Sequence, residues 1–176
     1  TFHSICARFL RKEMNQLNLP YNNNFVIYDT EDQLGLLKKA MEELEIDAKK
    51  FNPRAILARI SDAKNELAGP TEYNDSAKEF FEKIVARIYP IYQKSLEKNN
   101  AVDFDDLLFL TVKMFKENSS ILEKYQNRFK YILVDEYQDT NKPQYLFLKM
   151  LAQKHRNIMA VGDDYQSIYL FRRADI

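Results

Sequence analysis

Residues 131–141 read Tyr-Ile-Leu-Val-Asp-Glu-Tyr-Gln-Asp-Thr-Asn. Four β-favouring residues come first, and two adjacent acids follow. A short apolar run of this kind, closed by polar residues, predicts a buried strand. That strand would deliver Asp135 and Glu136 side by side at its C-terminal end. Neighbouring strand residues point to opposite faces, but a chain that turns at the strand end brings both to one site. Magnesium is a hard ion that takes oxygen ligands and keeps several waters. Asp135 is a candidate to hold it, and Glu136 to orient or deprotonate a water that attacks a phosphate. The same two acids after an isolated apolar run also begin ordinary polar loops, so the surrounding sequence has to decide.

Downstream, Asn141 and Pro143 signal the start of a helix running to Gln153. Ile158-Met159-Ala160-Val161 is a second apolar run, ending at Gly162-Asp163-Asp164. Strand, helix, strand is the rhythm of a parallel α/β sheet. Ligands of such sheets bind beyond the C-terminal strand ends, where both acidic groups, 135–136 and 163–164, are expected. Gln166 follows, a neutral group able to hydrogen-bond a terminal phosphate or a water. Tyr169, Phe171 and Arg172 then form an aromatic-x-aromatic-Arg pattern. Aromatic stacking plus Arg contact to phosphate suits sequence-tolerant binding of single strands. Core aromatics on a short helix would give the same pattern.

Upstream the sequence is helical. Apolar spacing predicts a helix from Phe2 to Leu17, with Cys6 on its packed face. Thr30 with Gln33, and Ser76 with Glu79, match capping boxes. Asn52-Pro53 opens a helix that Gly69-Pro70 is expected to end. The helix after Ser76 should turn Phe80, Phe81, Ile84, Val85, Ile88, Ile91 and Tyr92 inward, and Pro90 should kink or split it. No strand pattern is found between Leu17 and Asn100. Asp103 is expected to cap a helix over 104–115, and Ser120 with Glu123 a short one ending near Phe129. The fold class expected is α/β, predominantly helical, with an all-helical unit ahead of a parallel sheet.

Composition sets the bounds. At 45% hydrophobic and 30% charged, the chain suits a soluble globular fold. No apolar run approaches the roughly 18 residues of a membrane helix. The N-terminus lacks the features of a signal peptide, and one cysteine excludes an internal disulfide; a reducing cytoplasm fits. Lys+Arg and Asp+Glu are 26 each, so bulk charge does not announce a nucleic-acid partner. Only three glycines occur, Gly35, Gly69 and Gly162. Their spacing excludes both G-x-G-x-x-G and G-x-x-x-x-G-K-[ST] within these residues. His3 and His155 are too isolated to suggest a metal site. The acids of DFDD, 103–106, suit a nuclease, but Asp at a helix start is more commonly a cap.

Four segments in order, TFHS at 1–4, DFDDLL at 103–108, VDEYQDTN at 134–141 and VGDDYQSIY at 161–169, resemble motifs of the superfamily 1 UvrD/Rep/PcrA-type DNA helicases. The resemblance spans nearly the whole chain. It implies a partial RecA-like P-loop NTPase sheet with an inserted all-helical subdomain. Residues 1–16 and 103–176 would belong to the first RecA-like domain, 1A, and 17–102 to the insertion, 1B. Asp135 resembles the Walker B aspartate that holds Mg²⁺, and Glu136 the glutamate that activates the hydrolytic water. Gln166 resembles the glutamine that senses the γ-phosphate and links hydrolysis to DNA. Tyr169 and Phe171 match positions that stack on single-stranded bases, and Arg172 the arginine after them. Thr1, Phe2 and His3 match a segment lining the single-stranded DNA path. Gln138 belongs to the Walker B signature in a supporting role. Tyr165 and Arg173 depart from the usual pattern without removing a catalytic group.

The implied partners are ATP, Mg²⁺, single-stranded DNA, duplex–single-strand junctions and the remaining helicase domains of the same chain. The implied activity is ATP-driven 3′-to-5′ translocation and unwinding. The Walker A loop is expected upstream of Thr1 and the second RecA-like domain downstream. The 176 residues alone are therefore expected neither to hydrolyse ATP nor to unwind DNA. Two rival readings are a Mg-dependent nuclease using Asp103, Asp105, Asp106, Asp135 and Glu136, and a non-catalytic helical interaction module.

Overall fold

Amphipathic runs with local caps account for most of the architecture seen in the computed structural model, which describes residues 1–163. Helix α1 spans Phe2–Glu13 and passes into a 3₁₀ turn at Met14–Gln16. Strand β1 (Val26–Ile27) leads to α2 (Thr30–Glu43), α3 (Pro53–Asn65), α4 (Pro70–Ser76) and α5 (Phe80–Lys98). Strand β2 (Ala101–Val102) precedes α6 (Phe104–Glu117) and α7 (Ser119–Arg128). Strand β3 (Ile132–Val134), a 3₁₀ turn at Tyr137–Asp139, α8 (Lys142–Ala152) and β4 (Ile158–Ala160) complete the series. None of the helices among the described residues is long and apolar enough to cross a membrane.

The chain divides into two compact units, one of His3–Leu107 and one of Thr1–Phe2 with Leu108 onward. In the first, α5 is the central helix. Its face of Ile84, Val85, Ile88, Tyr89, Tyr92 and Leu96 packs with Leu37 and Met41 of α2 and Ile56 and Ile60 of α3. Full burial of each such side chain contributes about 1.5–3 kcal/mol. Of the expected kink or split at Pro90, the split does not occur: α5 runs from Phe80 to Lys98 with Pro90 on its exposed face. Phe80, expected inward, is 73% exposed because it occupies the first position of the helix.

Four local expectations shift. The box that starts α2 is Asp29 with Asp32, not Thr30 with Gln33, and the box that starts α5 is Glu79 with Glu82. Gly69-Pro70 does not merely end α3. Leu67 ends it by adopting a left-handed conformation (φ 59°), and Pro70 then opens α4, where its missing N–H costs nothing. Helix α7 starts at Ser119 after Asn118, with no side-chain cap bond.

A strand pair does occur where none was expected. β1 and β2 run parallel, with Val26 opposite Ala101 and Ile27 opposite Val102. Val26 N–H donates to Asn100 O (3.0 Å) and Tyr28 N–H to Val102 O (2.9 Å). Asn22 and Asn100 lock the approach: Asn22 N–H donates to Asn100 Oδ1 (2.9 Å), and Asn100 Nδ2 donates to Asn22 Oδ1 (2.8 Å). The asparagine-rich turn is thus a fastening.

Buried charge ties α3, α5 and α6 together. Lys64 Nζ lies 2.6 Å from Asp103 Oδ2 and 2.7 Å from Asp106 Oδ1, with all three side chains at most 2% exposed. Tyr92 OH donates to Asp103 Oδ2 (3.0 Å), and Gln93 Nε2 donates to Asp106 and to Tyr21 OH. The two acids also cap α6 reciprocally: Asp106 N–H donates to Asp103 Oδ1 (2.8 Å) and Asp103 N–H to Asp106 Oδ2 (3.2 Å). Burial alone would depress Lys64, but Asp103 and Asp106 outweigh it and hold the ammonium above its ordinary value.

Burial first, and the Asp103 charge second, push Asp106 up to about 6. A carboxyl whose folded value exceeds its unfolded value contributes stability that is complete below about pH 4 and lost as pH rises through the folded value. Thermal unfolding followed across pH 4–7 is therefore expected to show stability falling as pH rises from about 4 to about 6 and levelling off above that. Asp106→Asn should flatten that slope; an unchanged slope in the variant would assign it elsewhere.

In the second unit, Phe115 of α6 stacks on Phe147 of α8 (centroids 5.9 Å) and meets Tyr125 of α7 (5.9 Å). Gln126 Nε2 donates to Met150 O (2.7 Å), joining α7 to α8. Asn141 and Gln144 form a capping box at the start of α8, with Pro143 in the first turn. β3 and β4 are parallel, pairing Ile132 with Ile158, Leu133 with Met159 and Val134 with Ala160. The strand–helix–strand reading holds. The expected burial does not: Leu133 is 80% exposed and Met159 59%. Among the described residues these two strands form a sheet by themselves, and two strands cannot cover both of their faces.

Candidate functional site at the end of the parallel strands

Because β3 and β4 are parallel, their C-terminal ends lie at one edge, and the segments 135–138 and 161–163 leave from it. The ladder persists briefly past the strands: Val161 N–H donates to Val134 O (2.8 Å) and Tyr137 N–H to Val161 O (3.0 Å). Between these bonds, Glu136 adopts a left-handed conformation, φ 54° and ψ 44°. Such a conformation in a residue with a Cβ costs about 1–3 kcal/mol and persists where the surroundings impose it. It turns the chain within one residue of the strand.

The turn is held from several sides. Glu136 N–H donates to Asp135 Oδ1 (3.0 Å). Asp139 N–H donates to Glu136 O (3.0 Å), and Thr140 Oγ1 donates to Tyr137 O (2.8 Å). Asp135 and Glu136 are both exposed, whereas Gln138 is 6% exposed. Gln138 Nε2 donates to Glu136 Oε2 (2.7 Å), and its Oε1 accepts the Asp163 N–H (3.0 Å). Gly162 passes so close that a Cβ there would lie 2.7 Å from Gln138 Oε1.

Among the described residues, no cluster of three or more His, Cys, Asp or Glu side chains forms an all-protein metal cage. Magnesium in phosphoryl-transfer sites needs none, since one or two carboxylates, waters and substrate phosphates complete its shell. An exposed Asp135 with Glu136 beside it fits that mode. The nuclease set does not assemble in this way: Asp103 and Asp106 are buried against Lys64.

The UvrD/REP helicase N-terminal domain family matches over residues 1–176. The chain belongs to this helicase family. It is 48% identical over all 176 residues to the ATP-dependent DNA helicase PcrA of Bacillus subtilis (strain 168). It is 46% identical to the proteins of that name in Staphylococcus aureus (strain Mu50 / ATCC 700699) and Staphylococcus epidermidis. The chain spans 24% of the length of each of these relatives.

For this UvrD/REP-family chain, the structure brings Asp135, Glu136, Gln138, Gly162 and Asp163 together. Gln166, Tyr169, Phe171 and Arg172, with Tyr165 and Arg173, lie outside the described residues. Of the N-terminal candidates, the Phe2 ring meets Phe147 edge-on (6.2 Å, 79°). The His3 ring stacks on Phe104 (3.8 Å, 21°), and Thr1 is exposed. Phe104 was not singled out from sequence, yet it is 53% exposed. Its position at the first residue of α6, where a side chain escapes the core, was the available signal. Gln138 was assigned only support; its bond to Glu136 is local, but its bond to Asp163 forms across 25 residues of sequence and leaves no local trace.

Proposed function

We propose that this chain is the part of an ATP-dependent DNA helicase that positions the water-activating and metal-holding acids. The carrying observation is the placement of Asp135 and Glu136 at the C-terminal edge of a parallel strand pair, in a chain of the UvrD/REP helicase family. Asp135 would hold Mg²⁺ on ATP, and the ion would offset charge on the phosphates. Glu136 would take the proton from the attacking water. Gln166 would report the γ-phosphate to the DNA side.

In this proposal residues 1–16 and 103–176 form part of RecA-like domain 1A, and 17–102 form the helical insertion 1B. Further strands of the RecA-like sheet would cover the apolar faces of Leu133 and Met159. Tyr169 and Phe171 would stack on bases, Arg172 would meet phosphate, and Thr1, Phe2 and His3 would line the strand's path. The stacked pair of His3 and the exposed Phe104 suits a base-facing platform. Translocation would run 3′ to 5′, with junctions of duplex and single strand as substrates, in the cytoplasm.

The test is unwinding of duplexes carrying a 3′ or a 5′ single-stranded tail by the full-length protein, with the 176-residue chain alongside. ATP- and Mg²⁺-dependent unwinding of the 3′-tailed duplex is expected from the full-length protein, and no ATP turnover from the 176 residues alone. Preference for the 5′ tail would overturn the polarity. DNA cleavage without ATP would favour a nuclease.

A further inference from the structure

Gln138 is nearly buried between two partners that belong to different strands' ends. Its amide has one donating and one accepting end, and the partners use them in a fixed sense. The NH₂ end faces the Glu136 carboxylate at 2.7 Å, and the C=O end faces the Asp163 N–H at 3.0 Å. Reversing the amide would set oxygen against carboxylate and NH₂ against N–H, so the orientation is dictated. Gly162 completes the arrangement: its missing Cβ leaves the space that Gln138 Oε1 occupies, and the Gln138 backbone N lies 3.3 Å from the same point. The Glu136 side chain is thereby tied to the segment that follows β4.

We propose that Gln138 is a positioning residue that sets the Glu136 carboxylate according to where the 162–163 segment stands. The proposal rests on the reading of Glu136 as the water-activating group. A shift of the segment after β4 pulls on Gln138 Oε1, and through the rigid amide plane on the carboxylate. Gly162 is required because any larger residue displaces the amide.

The test uses the full-length protein with single-stranded DNA, comparing Gln138→Leu, Gln138→Glu, Gly162→Ala and the Gln138→Leu/Gly162→Ala double variant. Turnover, KM for ATP and thermal midpoint are read for each. Loss of an orienting partner typically costs about 10- to 100-fold in activity, and that loss is expected in kcat for Gln138→Leu. KM and the thermal midpoint should stay close to wild type. Gln138→Glu keeps an acceptor for Asp163 but cannot donate to Glu136 and sets a like charge beside it, so it should be no better than Gln138→Leu. Gly162→Ala should lower kcat alone yet add little in the double variant, because both changes break one linkage.

Wild-type kcat in Gln138→Leu, fully additive losses in the double variant, or a kcat loss matched by KM and thermal midpoint would each overturn the proposal. Glu136→Gln separates this from the underlying reading. If that variant turns over normally, the role of Glu136 fails; if it is inactive while Gln138→Leu is normal, only the positioning role fails.

Discussion

Glu136→Gln in the full-length protein is expected to lower ATP turnover by at least about 100-fold, the scale of a lost general base. Nucleotide binding should be largely spared. The substitution is nearly isosteric and removes the ability to take a proton, which bears on the chemical step alone. Asp135 keeps its place, since Glu136 donates to Asp135 Oδ1 through its backbone N–H, which the substitution does not touch. The left-handed backbone at Glu136 is likewise open to Gln. Binding of a fluorescent ATP analogue, measured beside steady-state hydrolysis, separates the two effects. Wild-type turnover would remove Glu136 from the mechanism; loss of binding together with turnover would assign it to the cradle rather than to the water.

The second large effect concerns stability. Lys64 is the cation between Asp103 and Asp106, and all three are shielded from water. Removing one partner of a buried ion pair strands charge in the interior and typically costs about 3–5 kcal/mol. Lys64→Met should destabilise the first unit by that order while filling most of the volume. Replacing all three residues together, with Lys64→Met, Asp103→Asn and Asp106→Asn, should recover much of the loss, because no uncompensated charge remains. Denaturant unfolding of the variants measures both. A Lys64→Met protein as stable as wild type would mean that the acids reach water or give up their charge at little cost.

These residues also show what sequence could and could not disclose. The β3–α8–β4 segment was legible because each of its signals is local: an apolar run, an Asn-x-Pro start and a second apolar run. The acids 135–136 were located for the same reason. Cys6 on the packed face of α1 followed from spacing alone. The β1–β2 pair was not legible, since two-residue strands carry no periodicity and their partners lie far apart in sequence. Lys64 drew no reading from the sequence, although it follows Ile60 by four positions and therefore shares its inward face. The DFDD acids were placed as helix caps, and two of them are, but the ammonium they enclose came from α3. At the site itself, the Gln138 linkage depends on how β4 registers against β3, which no residue near Gln138 encodes.

Under the proposed function, the end of β3 is the hydrolytic centre of a DNA-driven ATPase. The most direct measurement is a structure of the full-length protein with single-stranded DNA, Mg²⁺ and a transition-state mimic of ATP hydrolysis. The expected result is the metal at the Asp135 carboxylate and the attacking-water position beside Glu136. Nucleotide and metal bound away from the ends of β3 and β4 would contradict the claim.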